Sequence, residues 1–388
     1  MLAFVDKNGS VKVKKPLQKS YWYSLEGHSK PITSCSTNDN GELLSCSLDG
    51  SVSIWKIPEN EPTTKFSHTF AVNGLIFSTS SNLALSADLH GSVILWKINA
   101  SEKLPLIYAV KKTYVEGSIQ GLSWLKENQF VCAVSQHVNS EDKYMLDVLS
   151  FKTVTMDEQM LYEIRVEMTH NFQDEISCVD ACLNSNTIAV GLKSGECTVI
   201  SPDCKRNLKV YADWIIGAKI LNDILCVSLL DGGVKCFSVA EILKSKKTAS
   251  ANPMKIYQPA KSNGCVPYPS CLFCDTNGKI YCGDTLGWLH IYSEDSSPYV
   301  KKIHSDSITG ICVLGSNIFT SSLDRTIKGW SSETLEQVCQ FHSSVPISCL
   351  AKSAFCDISS DSDFLMFGAT SGAVHLLKFK LALEKSDT

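Results

Sequence analysis

The stretch SCSLDGSVSIW (residues 45–55) decides the fold. It reads as a short run, a tight turn at Asp49-Gly50, and a second alternating run that ends in Trp55. Period-two alternation on both sides of an Asp-Gly pair is a β-hairpin signal. The pattern recurs at SADLHGSVILW (86–96), SSLDRTIKGW (321–330) and VSLLDGGVKCF (227–237). Looser copies stand at VGLKSGECTVI (190–200), CGDTLGWLHIY (282–292) and FGATSGAVHLL (367–377). Self-similarity at about 40–50 residues marks a stack of repeated supersecondary units, a solenoid or a propeller.

Working outward, each repeat reads as four short strands, a to d. In the first, His28 precedes strand a (ITSCS), ELLSCS is b, SVSIWKI is c and TTKFS is d. Segments in this order begin near residues 28, 68, 117, 170, 213, 265, 304 and 342. A further hairpin, AFVDKNGSVKVK (3–14), stands first and is followed by the strand YWYSL (21–25). The last repeat shows no strand d after LLKFK. An N-terminal strand is therefore expected to complete the last blade, close a ring and remove an exposed sheet edge. The expected fold class is all-β, a single closed β-propeller of four-stranded blades, eight in number, with seven as the alternative. Residues 1–26 are assigned to the hairpin and ring-closing strand, 27–380 to the propeller and 381–388 to a frayed tail. The polar insertions QHVNSEDKYM (136–145) and 244–264 read as loops. The best helical candidate is VAEILKSKK (239–247).

At 388 residues and 44% hydrophobic content, the chain can bury a large core. A net charge of −4 offers nucleic acid no overall basic field. The runs KVKK (12–15) and KSKK (244–247) read as solvated loops. No apolar run approaches the roughly 18 residues of a membrane span, so no membrane insertion is expected. The start MLAFVDKNGS has no basic segment followed by an apolar one, so no secretory signal is read. The expected compartment is intracellular, cytoplasm or nucleus. Seventeen cysteines then read as free thiols. Five of them, Cys35, Cys178, Cys271, Cys312 and Cys349, read as one strand-a position used repeatedly by a small apolar side chain. Cys271 and Cys274, three apart on a strand, point to opposite faces and do not converge on a metal.

Gly27-His28, Asp49 and Trp55 resemble the landmarks of a WD40 repeat, as do His304, Asp324 and Trp330. His68 and Trp96 repeat the set with His90 at the turn. The resemblance covers almost the whole chain at family level. It implies a buried hydrogen-bond chain from the strand-c Trp through a strand-b hydroxyl and the His to the turn Asp. Carried over, the sets are Trp55, Ser47, His28, Asp49 and Trp330, Ser322, His304, Asp324. No Trp here is followed by Asp, and repeats three to five lack the strand-c Trp.

Five histidines, His28, His68, His170, His304 and His342, precede strand a in successive repeats, a structural rather than a catalytic placement. No GxxxxGK[ST], GxSxG or HExxH motif occurs. The turn carboxylates fall one per blade, not in acid–base pairs. No enzyme activity, cofactor or metal is expected. The residue before Asp49, His90, Asp231 and Asp324 is Leu48, Leu89, Leu230 and Leu323; its equivalents are Lys7, Lys193, Thr285 and Thr370. In WD40-like propellers this position lies on a partner-touching face, so the resemblance makes these residues a candidate partner-binding face. Trp288 is a candidate aromatic anchor. The expected function is a scaffold that holds proteins of a larger complex. The less favoured alternatives are a nucleic-acid-associated subunit in RNA processing, ribosome assembly or chromatin, and a ubiquitin-ligase substrate receptor. No WDxR occurs, which lowers the last.

Overall fold

A computed structural model describes residues 4–5, 11–12, 20–25, 27–37, 43–55, 64–78, 83–98, 107–114, 117–156, 159–221, 223–245, 252–257, 267–275, 278–293, 298–353 and 363–379. Lys7, residues 246–251 and 258–266 of the second insertion, and the tail 380–388 lie outside them. Among the described residues there are eight four-stranded antiparallel sheets and a two-stranded hairpin, Phe4–Val5 with Val11–Lys12. The sheets are the blades, in two compact units.

The first unit (Met1–Val72, Asn99–Leu106 and His304–Thr388) holds three blades. Blade 1 is Ile32–Thr37, Leu43–Ser47, Ser51–Trp55 and Thr64–Ser67. Blade 7 is Ile308–Leu314, Asn317–Ser322, Thr326–Ser331 and Gln337–His342. Blade 8 is Ile347–Ser353, Asp363–Ala369 and Val374–Phe379, with Ser20–Leu25 as its fourth strand. Ser20 pairs with Phe379 and Leu25 with Val374 in one unbroken antiparallel register.

The second unit (Asn73–Ile98 and Ile107–Ile303) holds five. Blade 2, whose first residue belongs to the other unit, is Val72–Phe77, Leu83–Asp88, Ser92–Ile98 and Ile107–Tyr114. Blade 3 is Ser118–Lys126, Gln129–Val138, Glu141–Met156 and Gln159–Phe172. Blade 4 is Ile176–Cys182, Thr187–Leu192, Glu196–Ile200 and Lys205–Lys209. Blade 5 is Ile215–Leu221, Ile224–Leu229, Val234–Ser238 and Lys255–Tyr257. Blade 6 is Pro269–Cys274, Ile280–Asp284, Trp288–Tyr292 and Tyr299–Lys302.

Alternation alone does not explain the blades; the turns do. The b–c turn of blade 4 places Gly195 at φ +81°, where a Cβ would lie 2.4 Å from the Tyr211 carbonyl oxygen of the next lead-in loop. Glycine meets both demands, the left-handed backbone and the close approach. In blade 7 Arg325 takes the same place at φ 71°. Buried apolar side chains then fill the space between sheets, as Ile32, Trp55, Met366, Val374 and Leu376 do between blades 1 and 8. Each such side chain contributes about 1.5–3 kcal/mol when fully buried.

Among the described residues a β-bulge follows the first buried residue of strand a in seven blades, for example between Ile32 and Ser34 and between Ile347 and Cys349. The bulge turns one side chain toward the neighbouring blade. In the first unit Thr33 Oγ1 donates to Val72 O (2.7 Å), Thr309 Oγ1 to Ile347 O (2.9 Å) and Ser348 Oγ to Ile32 O (2.6 Å). In the second, Asn73 Nδ2, at the matching place, donates to Ile119 O (2.6 Å).

Three expectations are corrected. Residues 136–145 are not a loop. Strands b and c of blade 3 run on through Gln136↔Lys143 to Val138↔Glu141, and only Asn139 and Ser140, both at positive φ, make the turn. His170 lies within strand d of blade 3, paired with Leu146, and His342 ends strand d of blade 7, so neither is a lead-in residue. The five cysteines do not share one position. Cys178, Cys271 and Cys349 pair with Gly191, Gly283 and Gly368 just after their bulges, while Cys35 stands one residue further along and Cys312 two. The helical candidate is a short helix, Val239–Lys244, capped by the Ser238 side chain, which accepts from Glu241 N.

Candidate functional site

Three lead-in histidines, His28, His68 and His304, are buried. In blade 1 the Trp55 indole N–H donates to Ser45 Oγ at 2.7 Å, and Ser45 Oγ meets His28 Nε2 at 2.7 Å. His28 Nδ1 meets Ser51 Oγ at 2.6 Å, and Ser51 Oγ donates in turn to the Asp49 carboxylate. Blade 7 makes the last link directly, with His304 Nδ1 2.9 Å from Asp324 Oδ2. Its indole, Trp330, donates to Thr320 Oγ1 at 3.4 Å, which is 2.9 Å from His304 Nε2. Every buried polar group in these chains finds a partner, which is what holds turn and lead-in loop together.

The strand-b hydroxyl is therefore Ser45, not Ser47, and Thr320, not Ser322. Ser47 Oγ donates to Lys30 O and accepts from Asp49 N, and Ser322 Oγ does the same with Asp306 O and Asp324 N. The reason is register. Trp55 sits opposite Leu43 and Trp330 opposite Ile318, so the indole reaches the same-face residue two positions on. Four positions on is the last residue of strand b, out of the indole's reach. Trp96, opposite Ala84, donates to Ser86 Oγ at 2.7 Å by the same rule.

Burial alone would raise the Asp49 carboxyl pKa. Hydrogen bonds from the Ser51 side chain and from the Ser29 and Ser51 N–H groups, with the charge of His28, overcome it and hold the group well below the usual carboxylate range. Asp324 is held down in the same way, against burial, by His304, Thr326 and Ser305. The other turn carboxylates, Asp88, Asp231 and Asp284, accept N–H bonds from their own turns. Among the described residues no three His, Cys, Asp or Glu side chains converge to hold a metal ion.

The b–c turns and lead-in loops are stitched by one repeated contact. The turn residue donates its N–H to the carbonyl just before strand a: Leu48 to Pro31, Lys193 to Glu175, Leu230 to Trp214, Thr285 to Tyr268, Leu323 to Ser307 and Thr370 to Pro346. Each candidate turn residue thus stands beside a lead-in residue of its own blade. The leucines are unequal: Leu48 and Leu89 are exposed, at 39% and 42%, while Leu230 and Leu323 are half-buried. Thr285, Thr370 and Trp288 are half-buried, and Trp288 donates its backbone N–H to Asp284 Oδ1. Lys193 is tied down, 2.7 Å from Glu175 and 4.4 Å over the Trp214 ring.

The lead-in residues were missed by sequence reasoning. Trp214 and Tyr268, in consecutive blades 5 and 6, are 43% and 49% exposed where other blades place Pro, Ser or Glu. Phe70, in the loop leading to blade 2, is 44% exposed. The signal that could have found them is their place at or next to the residue before the buried start of strand a. Elsewhere in the second unit, a cleft of about 420 Å³ between blades 3 and 4 is lined by Leu125, Val148, Met168, His170, Ile188 and Lys205. Among the described residues no helix is long and apolar enough to cross a membrane.

Comparison with known proteins follows this geometry. The WD domain, G-beta repeat family matches residues 19–56 and 60–97, and the TEP-1 C-terminal beta-propeller family matches residues 304–379. The chain is 22% identical to Telomerase protein component 1 of Rattus norvegicus over 90% of its own length, but spans only 14% of that protein. Its fold resembles Sqt1 of Saccharomyces cerevisiae at a TM-score of 0.75 and 9% identity, covering 93% of this chain and 98% of that one. It also resembles the computationally designed Ika8 protein at a TM-score of 0.68 and 18% identity, covering 92% and 99%.

Proposed function

Because this chain belongs to the WD40-repeat β-propeller family, we propose that it is a non-catalytic scaffold within a multiprotein complex. Its partner is a protein, and its docking face is built from the b–c turns and lead-in loops. The observation that carries this reading is the placement of Trp214 and Tyr268. Two large aromatic side chains, each about half exposed, stand in matching positions of neighbouring blades. Exposed aromatics on rigid loops anchor protein interfaces, because they bury much area at small entropic cost. Leu89 adds exposed apolar area at a turn position of the same unit. A relative that is by name a component of telomerase fits a role inside an assembly. The same relative is the support for a nucleic-acid-associated role as the second reading. Cytoplasm or nucleus is the proposed compartment.

The test is affinity purification of the intact chain and of a Trp214→Ala, Tyr268→Ala double variant, with co-purifying proteins identified by mass spectrometry. Both side chains are half exposed, so the variant's melt should match the parent's. At least one partner should drop ten-fold or more. Unchanged recovery with an unchanged melt would reject this face and leave the blade 3–blade 4 cleft as the next place to look. Recovery that falls with nuclease treatment or moderate salt, and not with the double variant, would favour the nucleic-acid reading.

A further inference from the structure

Strand a of blade 8 and strand a of blade 1 lie side by side in the first unit, and the junction is tight. A Cβ added at Gly368 would lie 2.4 Å from Ile32 Cγ2 and 2.7 Å from Cys349 Sγ. Ser348 Oγ donates across the junction to Ile32 O. The one-residue offset between the two cysteines matters here. Neighbouring positions on a strand point to opposite faces. Cys349 therefore turns from blade 8 toward blade 1, and Cys35 turns from blade 1 back toward blade 8, within 3.9 Å of the blade 8 carbonyl of Met366. Their Sγ atoms are 3.4 Å apart. Both residues are partly exposed. A disulfide needs about 2.05 Å between sulfurs, a closure of little more than an ångström from here.

We infer that Cys35 and Cys349 form a disulfide site that hydrogen peroxide closes, tying blade 8 covalently to blade 1. One sulfur, as thiolate, attacks a peroxide oxygen. The O–O bond breaks, the sulfur becomes a sulfenic acid, and the released hydroxide takes up a proton to leave as water. The second sulfur then attacks the sulfenic sulfur, the S–S bond forms, and a second water departs. Two thiols and one peroxide give one disulfide and two waters, with two electrons passing from sulfur to oxygen. The S–H···S contact supports the roles, because it pushes the Cys349 thiol pKa down and the Cys35 thiol pKa up. The molecule carries its own control. Cys226 and Cys236 face each other across strands b and c of blade 5 with sulfurs 3.7 Å apart, yet both are buried, at 2% and 5% exposure. Proximity is similar in the two pairs, and Cys226 and Cys236 are the less exposed residues.

The experiment uses the full chain, reduced and then exposed to dilute hydrogen peroxide, with the products separated by non-reducing electrophoresis and mapped by mass spectrometry. A crosslink between residues 314 apart should give a faster-migrating band that dithiothreitol reverses. The linked peptide pair should contain Cys35 and Cys349, and the band should vanish in both Cys35→Ser and Cys349→Ser. Oxidised protein should melt a few degrees higher, because the closed loop is long. No linked Cys35–Cys349 peptide from the parent chain would overturn the inference, and this readout needs no variant to fold. Linkage of Cys226 to Cys236 at the same rate would overturn it too, as would a lower melting temperature after oxidation.

Discussion

The indole of Trp55 chooses its partner by register, not by residue type. Ser45 and Ser47 lie on the same face of strand b, so alternation cannot separate them. Cross-strand pairing can, because Trp55 faces Leu43 and its N–H leans toward the next same-face hydroxyl. The sequence did hold the rule: Trp55, Trp96 and Trp330 each follow their acceptor by ten residues. The family resemblance, carried over residue by residue, points instead to Ser47 and Ser322, each two residues before the turn Asp. The distinction can be measured. Ser45→Ala should cost about 1–3 kcal/mol in denaturant melts, since it strands a buried indole N–H and an imidazole nitrogen. It should also speed exchange of the Trp55 indole proton in NMR spectra. Ser47→Ala removes backbone contacts only and should leave that proton's exchange unchanged; equal acceleration in both variants would refute the assignment.

At the scale of elements, the hairpins were legible because a b–c turn has a signature between two alternating runs, often an Asp and usually a Gly at the left-handed backbone position. Lead-in loops have none. Pro31, Trp214, Tyr268 and Ser307 do one job through their carbonyls, and a carbonyl leaves no mark on residue type. The bulges and the hydroxyl contacts between blades were hidden for a related reason, as nothing in ITS or ITG announces a shifted pairing. The polar stretch 136–145 misled because a two-residue turn at Asn139-Ser140 lets polar side chains stay on paired strands at a hairpin's exposed end. The strand Ser20–Leu25 is the element with the largest consequence. Deleting residues 1–26 leaves Val374–Phe379 with no outer neighbour, an open edge of six residues. The truncated chain should aggregate on size-exclusion chromatography at concentrations where the intact chain runs as a single species. A soluble product with an unchanged cooperative melt would show that another segment takes the strand's place.

For the molecule as a whole, buried titratable groups set a pH window. Burial pushes the His375 pKa down to about 4, and burial also lowers that of His304. An unfolded His titrates near 6.5, so the unfolded chain takes up protons first as pH falls. Stability should be complete above about pH 7 and decline from about 6.5 toward 4, with His375 alone accounting for roughly 3 kcal/mol at the low end. Asp49 and Asp324, held below the usual carboxylate range, take over below about pH 4. Denaturant melts across this range should show the slope, and His375→Leu should flatten part of it between pH 6.5 and 5. A variant with the parent's slope would place the sensitivity elsewhere. Blade 8 carries one more consequence, and it concerns time. Its outer strand leaves the ribosome more than 340 residues ahead of the strand it pairs with. Every other four-stranded blade can assemble as it emerges. During synthesis, Ser20–Leu25 must wait unpaired while the seven sheets that lie between in sequence emerge, so this blade closes by joining two segments far apart along the chain. At the roughly 5–20 residues per second of translation, that wait is tens of seconds. A chaperone that shields one short strand would have its work concentrated there.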